Sequence, residues 1–171
     1  IESKNSEEVA KAERDNAQNY LDIAGVLIIA INPEGTVTLI NKKVCDLLGF
    51  DENKIIGMNW FDTFLPARLR NEVKNVFNKI ISGDIAPIEY YENPVMPKNG
   101  EERLVLWHNS ITYDSDGNTT GILASGEDIT NRKQAEHVIQ HKQNMLSRTE
   151  HIAHVGSWEW EIASDTVVWS E

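Results

Sequence analysis

An α+β fold, one five-stranded antiparallel sheet with helices on one face and an amphipathic helix at either end, is predicted by three observations. Five strand-like runs fall into a pair near the N-terminus and a trio near the C-terminus. Turns of hairpin length, NPEG, PKNGE and DSDGN, join the runs within each group. Between the groups lie short helical pieces and one longer amphipathic segment, which suffice to cover one sheet face.

Residues 1–24 are polar and helix-compatible, with Val9, Ala12, Asn16, Tyr20 and Ile23 at helical spacing and no Gly or Pro before Gly25. The stripe is thin, so this linker helix needs a partner. VLIIAI and TVTLI then read as a hairpin across NPEG. KKVCDLLG is a short helix stopped by Gly49, DENKIIG another capped by Asp51 and stopped by Gly57, and WFDTFLP a third. From Ala67 the apolar residues Leu69, Val73, Val76, Phe77, Ile80 and Ile81 share one face of a helix ending near Ser82–Gly83.

The trio is IEYYENPVM, RLVLWHNSITY and TTGILASGED. In GILASGEDITNRK the strand run around Ile122 and Ala124 ends at Gly126, and Asp128 with Thr130 then offers two side chains to cap a helix. That helix, 130–153, carries Ala135, Val138, Ile139, Lys142, Met145, Leu146, Thr149 and Ile152 near seven-residue spacing. The stripe is too long for one small sheet to cover, which favours a parallel dimer, although packing on its own domain stays open.

Sixteen Lys and Arg against 27 Asp and Glu give a net charge of −11, which argues against a nucleic-acid partner. No apolar run approaches the roughly 20 residues that span a bilayer, so no membrane contact is expected in this fragment. Cys45 alone forms no internal disulfide and fits a reducing, cytoplasmic setting. A start without Met and an end within an aromatic pattern read as a piece of a longer chain.

Two strands, short helices, a longer helix, three strands and the closing GEDITNRK resemble the PAS domain over about residues 20–131. INKKVCDLLGF and DGNTTGILASGEDIT carry the likeness in detail. HIAHVGSWEWEIASDTVVWSE resembles the opening of a second such unit, with a hairpin capping the first domain as the alternative. The organisation expected is a linker helix 1–24, a PAS domain 25–129, a signalling helix 130–153 and a truncated second PAS domain 154–171.

The resemblance implies a pocket between the inner sheet face and the short helices. Met58, Trp60, Phe64, Tyr90, Trp107, Asn109 and Ser125 are its candidate residues, with Tyr91 also in the aromatic set, though core filling explains aromatic residues equally. Asn109 and Ser125 matter because a buried polar side chain requires a partner. The cofactor is unknown. Flavin photoadduct chemistry is disfavoured because Trp60 stands where the family's reactive Cys would be and Cys45 comes too early. His-ligated haem is disfavoured because 67–82 holds no His, and His108 reads as an exposed strand residue beside Trp107.

His137 and His141, and His151 and His154, have spacings that can hold zinc, but without Cys nearby they read as a solvated helix face. No metal site, phosphate loop or nucleophile with a base stands out, so the fragment is not expected to be an enzyme. Asp62, Asp84 and Asp128 read as caps and turns. The expected function is a homodimeric sensory module that detects a small ligand or partner state. It signals through Asp128 and Thr130 to a downstream domain of the same chain, a sensor histidine kinase of a phosphorelay being the commonest destination implied by the family. A cyclic-dinucleotide enzyme such as a diguanylate cyclase, a chemoreceptor, or a ligand-free docking scaffold are the alternatives.

Overall fold

The structure, a computed structural model, describes residues 13, 16–84, 90–153, 158–161 and 166–169. Most of the expected first helix, including Val9 and Ala12, lies outside them, and helix α1 comprises residues 16–23. Residues up to Ile129 form one compact unit and those from Thr130 a second.

In the first unit, β1 (Leu27–Ile31) and β2 (Val37–Ile40) precede α2 (Lys42–Leu48), α3 (Glu52–Ile55), α4 (Trp60–Phe64) and α5 (Arg70–Ile81). Strands β3 (Tyr90–Val95), β4 (Arg103–Tyr113) and β5 (Thr119–Asp128) follow. The sheet runs β2-β1-β5-β4-β3, every neighbouring pair antiparallel, so the last strand inserts beside the first. That insertion depends on Gly121 at φ 145°: a Cβ there would sit 2.1 Å from the Ile31 carbonyl oxygen. Any other residue would force β1 and β5 apart.

Strand alternation sorts side chains between the two faces. Ile29 pairs with Ala124, Asn109 with Ala124, and Tyr91 with Trp107, which places all of these on the inner face beneath the helices. Val73, Phe77 and Ile80 recur along α5 and complete the core with Phe64 and Leu65. Each such side chain contributes about 1.5–3 kcal/mol of burial.

The short helices begin and end on identifiable chemistry. Asn41 Oδ1 accepts the Val44 and Ile28 N–H groups, and its Nδ2 donates to the Leu21 and Val26 carbonyls. One fully buried side chain thus caps α2 and ties α1 to β1. Gly49 closes α2 at φ 73°, its N–H 2.8 Å from the Cys45 oxygen. Asp51, expected to cap α3, makes no cap hydrogen bond; its carboxylate lies 3.3 Å from Lys54 instead. Helix α5 starts at Arg70, three residues after the expected Ala67.

In the second unit α6 spans Thr130–Ala153, and β6 (Trp158–Glu161) pairs antiparallel with β7 (Thr166–Trp169). The expected ASD turn between them lies outside the described residues. On α6, Val138, Ile139, Met145 and Leu146 are 50–62% exposed.

Candidate functional site

A cavity of about 80 Å³ lies between the inner sheet face and helices α4 and α5. From the sheet it is lined by Ile29, Ile31, Tyr91, Asn93, Trp107, Asn109, Ile122 and Ala124, and from the helices by Trp60, Phe61, Val73, Val76, Phe77 and Ile80. No Asp, Glu, Lys, Arg or His is among them.

The β1–β2 turn sets Trp60 in place. Asn59 Nδ2 donates to the Glu34 carbonyl at 3.1 Å, and the Trp60 N–H reaches the Gly35 oxygen at 2.9 Å. Asn59 also caps α4, its Oδ1 3.2 Å from the Asp62 N–H. Gly35, at φ 82°, leaves room for Phe61: a Cβ would come within 2.9 Å of that ring. Trp60 then meets Trp107 edge to face, centroids 5.8 Å apart and planes at 90°, while Phe61 stacks obliquely on Phe77 at 4.8 Å. Such pairs contribute about 0.5–1.5 kcal/mol beyond their burial, and they fix the aromatic walls.

Of the seven expected pocket residues, Trp60, Trp107 and Asn109 line this cavity. Phe64 is fully buried against Trp60 and Phe50 but does not line it. Three others point elsewhere and correct the reading. Met58 is 44% exposed in the link before α4. Tyr90 lies on the outer sheet face, its ring 5.0 Å from His108, because the register opposes its neighbour Tyr91 to Trp107. Ser125 pairs with Ile28 and His108, also on the outer face. Alternation told that adjacent residues part company but not which one turns inward.

Tyr91, named in the aromatic set, also lines the cavity, while Asn93, Phe61 and Phe77 are lining residues outside the expected set. Asn93 stands two residues beyond Tyr91 in the IEYYENPVM run and so shares its face, a placement that alternation within the strand could have supplied. Strand β5 runs through Gly126 to Asp128, the full TTGILASGED run. Asp128 lies 3.7 Å from Arg103 of β4, and the next N–H, that of Ile129, donates to the Leu104 oxygen at 2.9 Å. Thr130 is the first residue of α6.

Away from the cavity, burial first, and then the carboxylates of Glu52, Asp46 and Asp22, push the Cys45 thiol above its ordinary pKa. His137 and His141 are exposed on α6, His154 lies outside the described residues, and the His151 side chain is likewise not described. Among the described residues no cluster of three or more His, Cys, Asp or Glu could hold a metal ion, and no helix is long and apolar enough to cross a membrane.

An antiparallel sheet in the order β2-β1-β5-β4-β3, with short helices closing a cavity on one face, defines a PAS domain. The chain belongs to this family: the family model described as the PAS fold matches residues 21–134. Among curated proteins it is 25% identical over 154 residues to the probable diguanylate cyclase DgcE of Escherichia coli K12, covering 90% of this chain and 14% of that protein. It is also 25% identical over 157 residues to sporulation kinase C of Bacillus subtilis 168, covering 83% of this chain and 35% of the kinase. The chain therefore spans only a minor part of either relative.

Solved structures share the fold. The PAS domain of an HTR-like protein from Haloarcula marismortui superposes with a TM-score of 0.56 at 18% identity, over 74% of this chain and 99% of that one. The PAS domain of the quorum-sensing receptor RpfR from Cronobacter turicensis, solved in complex with BDSF, gives 0.53 at 20% identity, over 63% of this chain and 96% of that one.

Proposed function

We propose that this chain is a sensory module whose inner cavity receives a small molecule and whose α6 passes the occupancy to an effector in the same polypeptide. One observation carries the reading: β5 contributes Ile122 and Ala124 to the cavity wall and runs on through Asp128 and Ile129 to the first residue of α6. A ligand that shifts β5 against β4 changes the ladder ending at the Ile129–Leu104 hydrogen bond. A one-residue change of register there would turn the α6 stripe by about 100°.

The effector proposed first is a sensor histidine kinase of a phosphorelay, with a cyclic-dinucleotide enzyme as the alternative; the two curated relatives are named a sporulation kinase and a probable diguanylate cyclase. Catalysis belongs to that effector and not to this segment. Dimerisation through α6 is part of the proposal, supported by the exposed Val138, Ile139, Met145 and Leu146. That stripe also favours the second reading, a ligand-free docking scaffold. Binding of a small molecule by a domain of this shape has a precedent in the RpfR complex. A covalent flavin adduct is disfavoured because Trp60 stands at the sequence position where the family's reactive Cys would be, and His-ligated haem because no His is among the described lining residues.

Mass spectrometry of extracts from the denatured wild type and from Val76→Phe, which fills the cavity, tests this. A compound held by the wild type and absent from the variant is expected. Identical extracts would favour the scaffold.

A further inference from the structure

The geometry points to an uncharged single-ring ligand with a hydrogen-bond donor and acceptor side by side, a lactam or cyclic imide, read by the Asn93 carboxamide. This rests on the sensory reading and names the ligand class of the same cavity. Asn93 is 7% exposed and lines the cavity, and its carboxamide has no hydrogen-bond partner among the described residues. Every fully sealed side-chain N or O among those residues is partnered, so the Asn93 amide atoms must touch accessible space, which the cavity provides.

An amide buried without a partner costs about 1–3 kcal/mol. Ordered water can offset that in the empty state; a ligand that replaces the water must reproduce its hydrogen bonds. A carboxamide presents one acceptor and two donors in a plane, and its planar complement is another amide held cis. In a lactam or cyclic imide the ring locks that arrangement.

Size and charge narrow the class further. A cavity of about 80 Å³ corresponds to about three waters at roughly 30 Å³ each, which leaves space for at most one small ring and none for a fused polycycle or a long acyl chain. The perpendicular Trp60 and Trp107 rings offer one a face and the other an edge to a flat guest. With no Asp, Glu, Lys, Arg or His among the described lining residues, a charged ligand would lose its water and gain no counter-charge from them.

The test follows the Trp60 and Trp107 indole N–H signals of the whole chain by NMR during titration with 2-pyridone, toluene, benzoate and dodecanoate. Binding of 2-pyridone about tenfold tighter than toluene is expected, with the advantage lost and toluene binding kept in Asn93→Leu. Equal binding of 2-pyridone and toluene, or an undiminished 2-pyridone advantage in Asn93→Leu, overturns the proposal. Should Asn93→Leu fail to fold, the wild-type comparison still decides. Response to benzoate or dodecanoate but not 2-pyridone overturns the ligand class and leaves the sensory reading standing. No response to any probe overturns both.

Discussion

Trp107 packs closely against Gly126: a Cβ on Gly126 would come within 2.7 Å of Trp107 Cε3 and 2.8 Å of Cζ3. The two are register partners in β4 and β5, so the indole that walls the cavity rests on the strand that leads to α6. Gly126→Ala must displace that ring, at a cost of about 1–3 kcal/mol for overpacking. Urea unfolding should show a lowered midpoint, and the Trp107 indole signal should shift. A midpoint within error of wild type would mean the ring yields freely.

Asn41 makes a second sharp prediction. Its side chain serves two N–H groups and two carbonyls while fully buried. Asn41→Leu leaves them without their partner, at about 1–3 kcal/mol for each group that stays dry. Stability should fall by several kcal/mol, and amide exchange should rise first at Ile28 and Val44. Uniform acceleration across the sheet would instead indicate simple global destabilisation.

Much of this was legible in the sequence, and the gaps have physical causes. Strands β4 and β5 and helix α6 match the expected bounds because DSDGN, and the change of period after Asp128, punctuate the chain unambiguously. Asn41, seen only as the residue after the second strand, proved to be the buried clasp; nothing local reveals four long-range partners. The pocket was half legible. Trp107 and Asn109 share a face by alternation, yet the choice of Tyr90 over Tyr91 depended on a strand register that β3 alone does not fix. Ser125 went wrong for the same reason, since its orientation follows from pairing with His108. Asp51 failed as a cap because the local ion pair with Lys54 engages its carboxylate.

Cys45 should be a slow nucleophile. Its thiol pKa is raised by burial and by nearby carboxylates, so at a given pH less thiolate is present than for an ordinary cysteine. Iodoacetamide at pH 8 should alkylate the native chain several-fold more slowly than the urea-unfolded chain. Because the folded state favours the neutral thiol, stability from this group is fully present below the ordinary thiol pKa and declines as pH rises through the raised one. Equal alkylation rates would contradict the assignment.

Asp128→Ala separates signal transfer from folding. The Arg103–Asp128 pair is partly exposed on both sides, so its loss should cost less than about 1 kcal/mol. In a chain fused to a histidine kinase, autophosphorylation should nevertheless change markedly. If kinase output is untouched while the domain melts earlier, the pair serves the fold and not the relay.

The central claim is that filling the cavity alters the end of β5. Xenon under pressure enters apolar cavities without any change of sequence, so the amide exchange rate of Ile129, whose N–H donates to Leu104, can be measured with the cavity filled and empty. The expected result is a shift of the Trp60 and Trp107 indole signals together with a several-fold change in Ile129 exchange. Indole shifts with an unchanged Ile129 rate would contradict it.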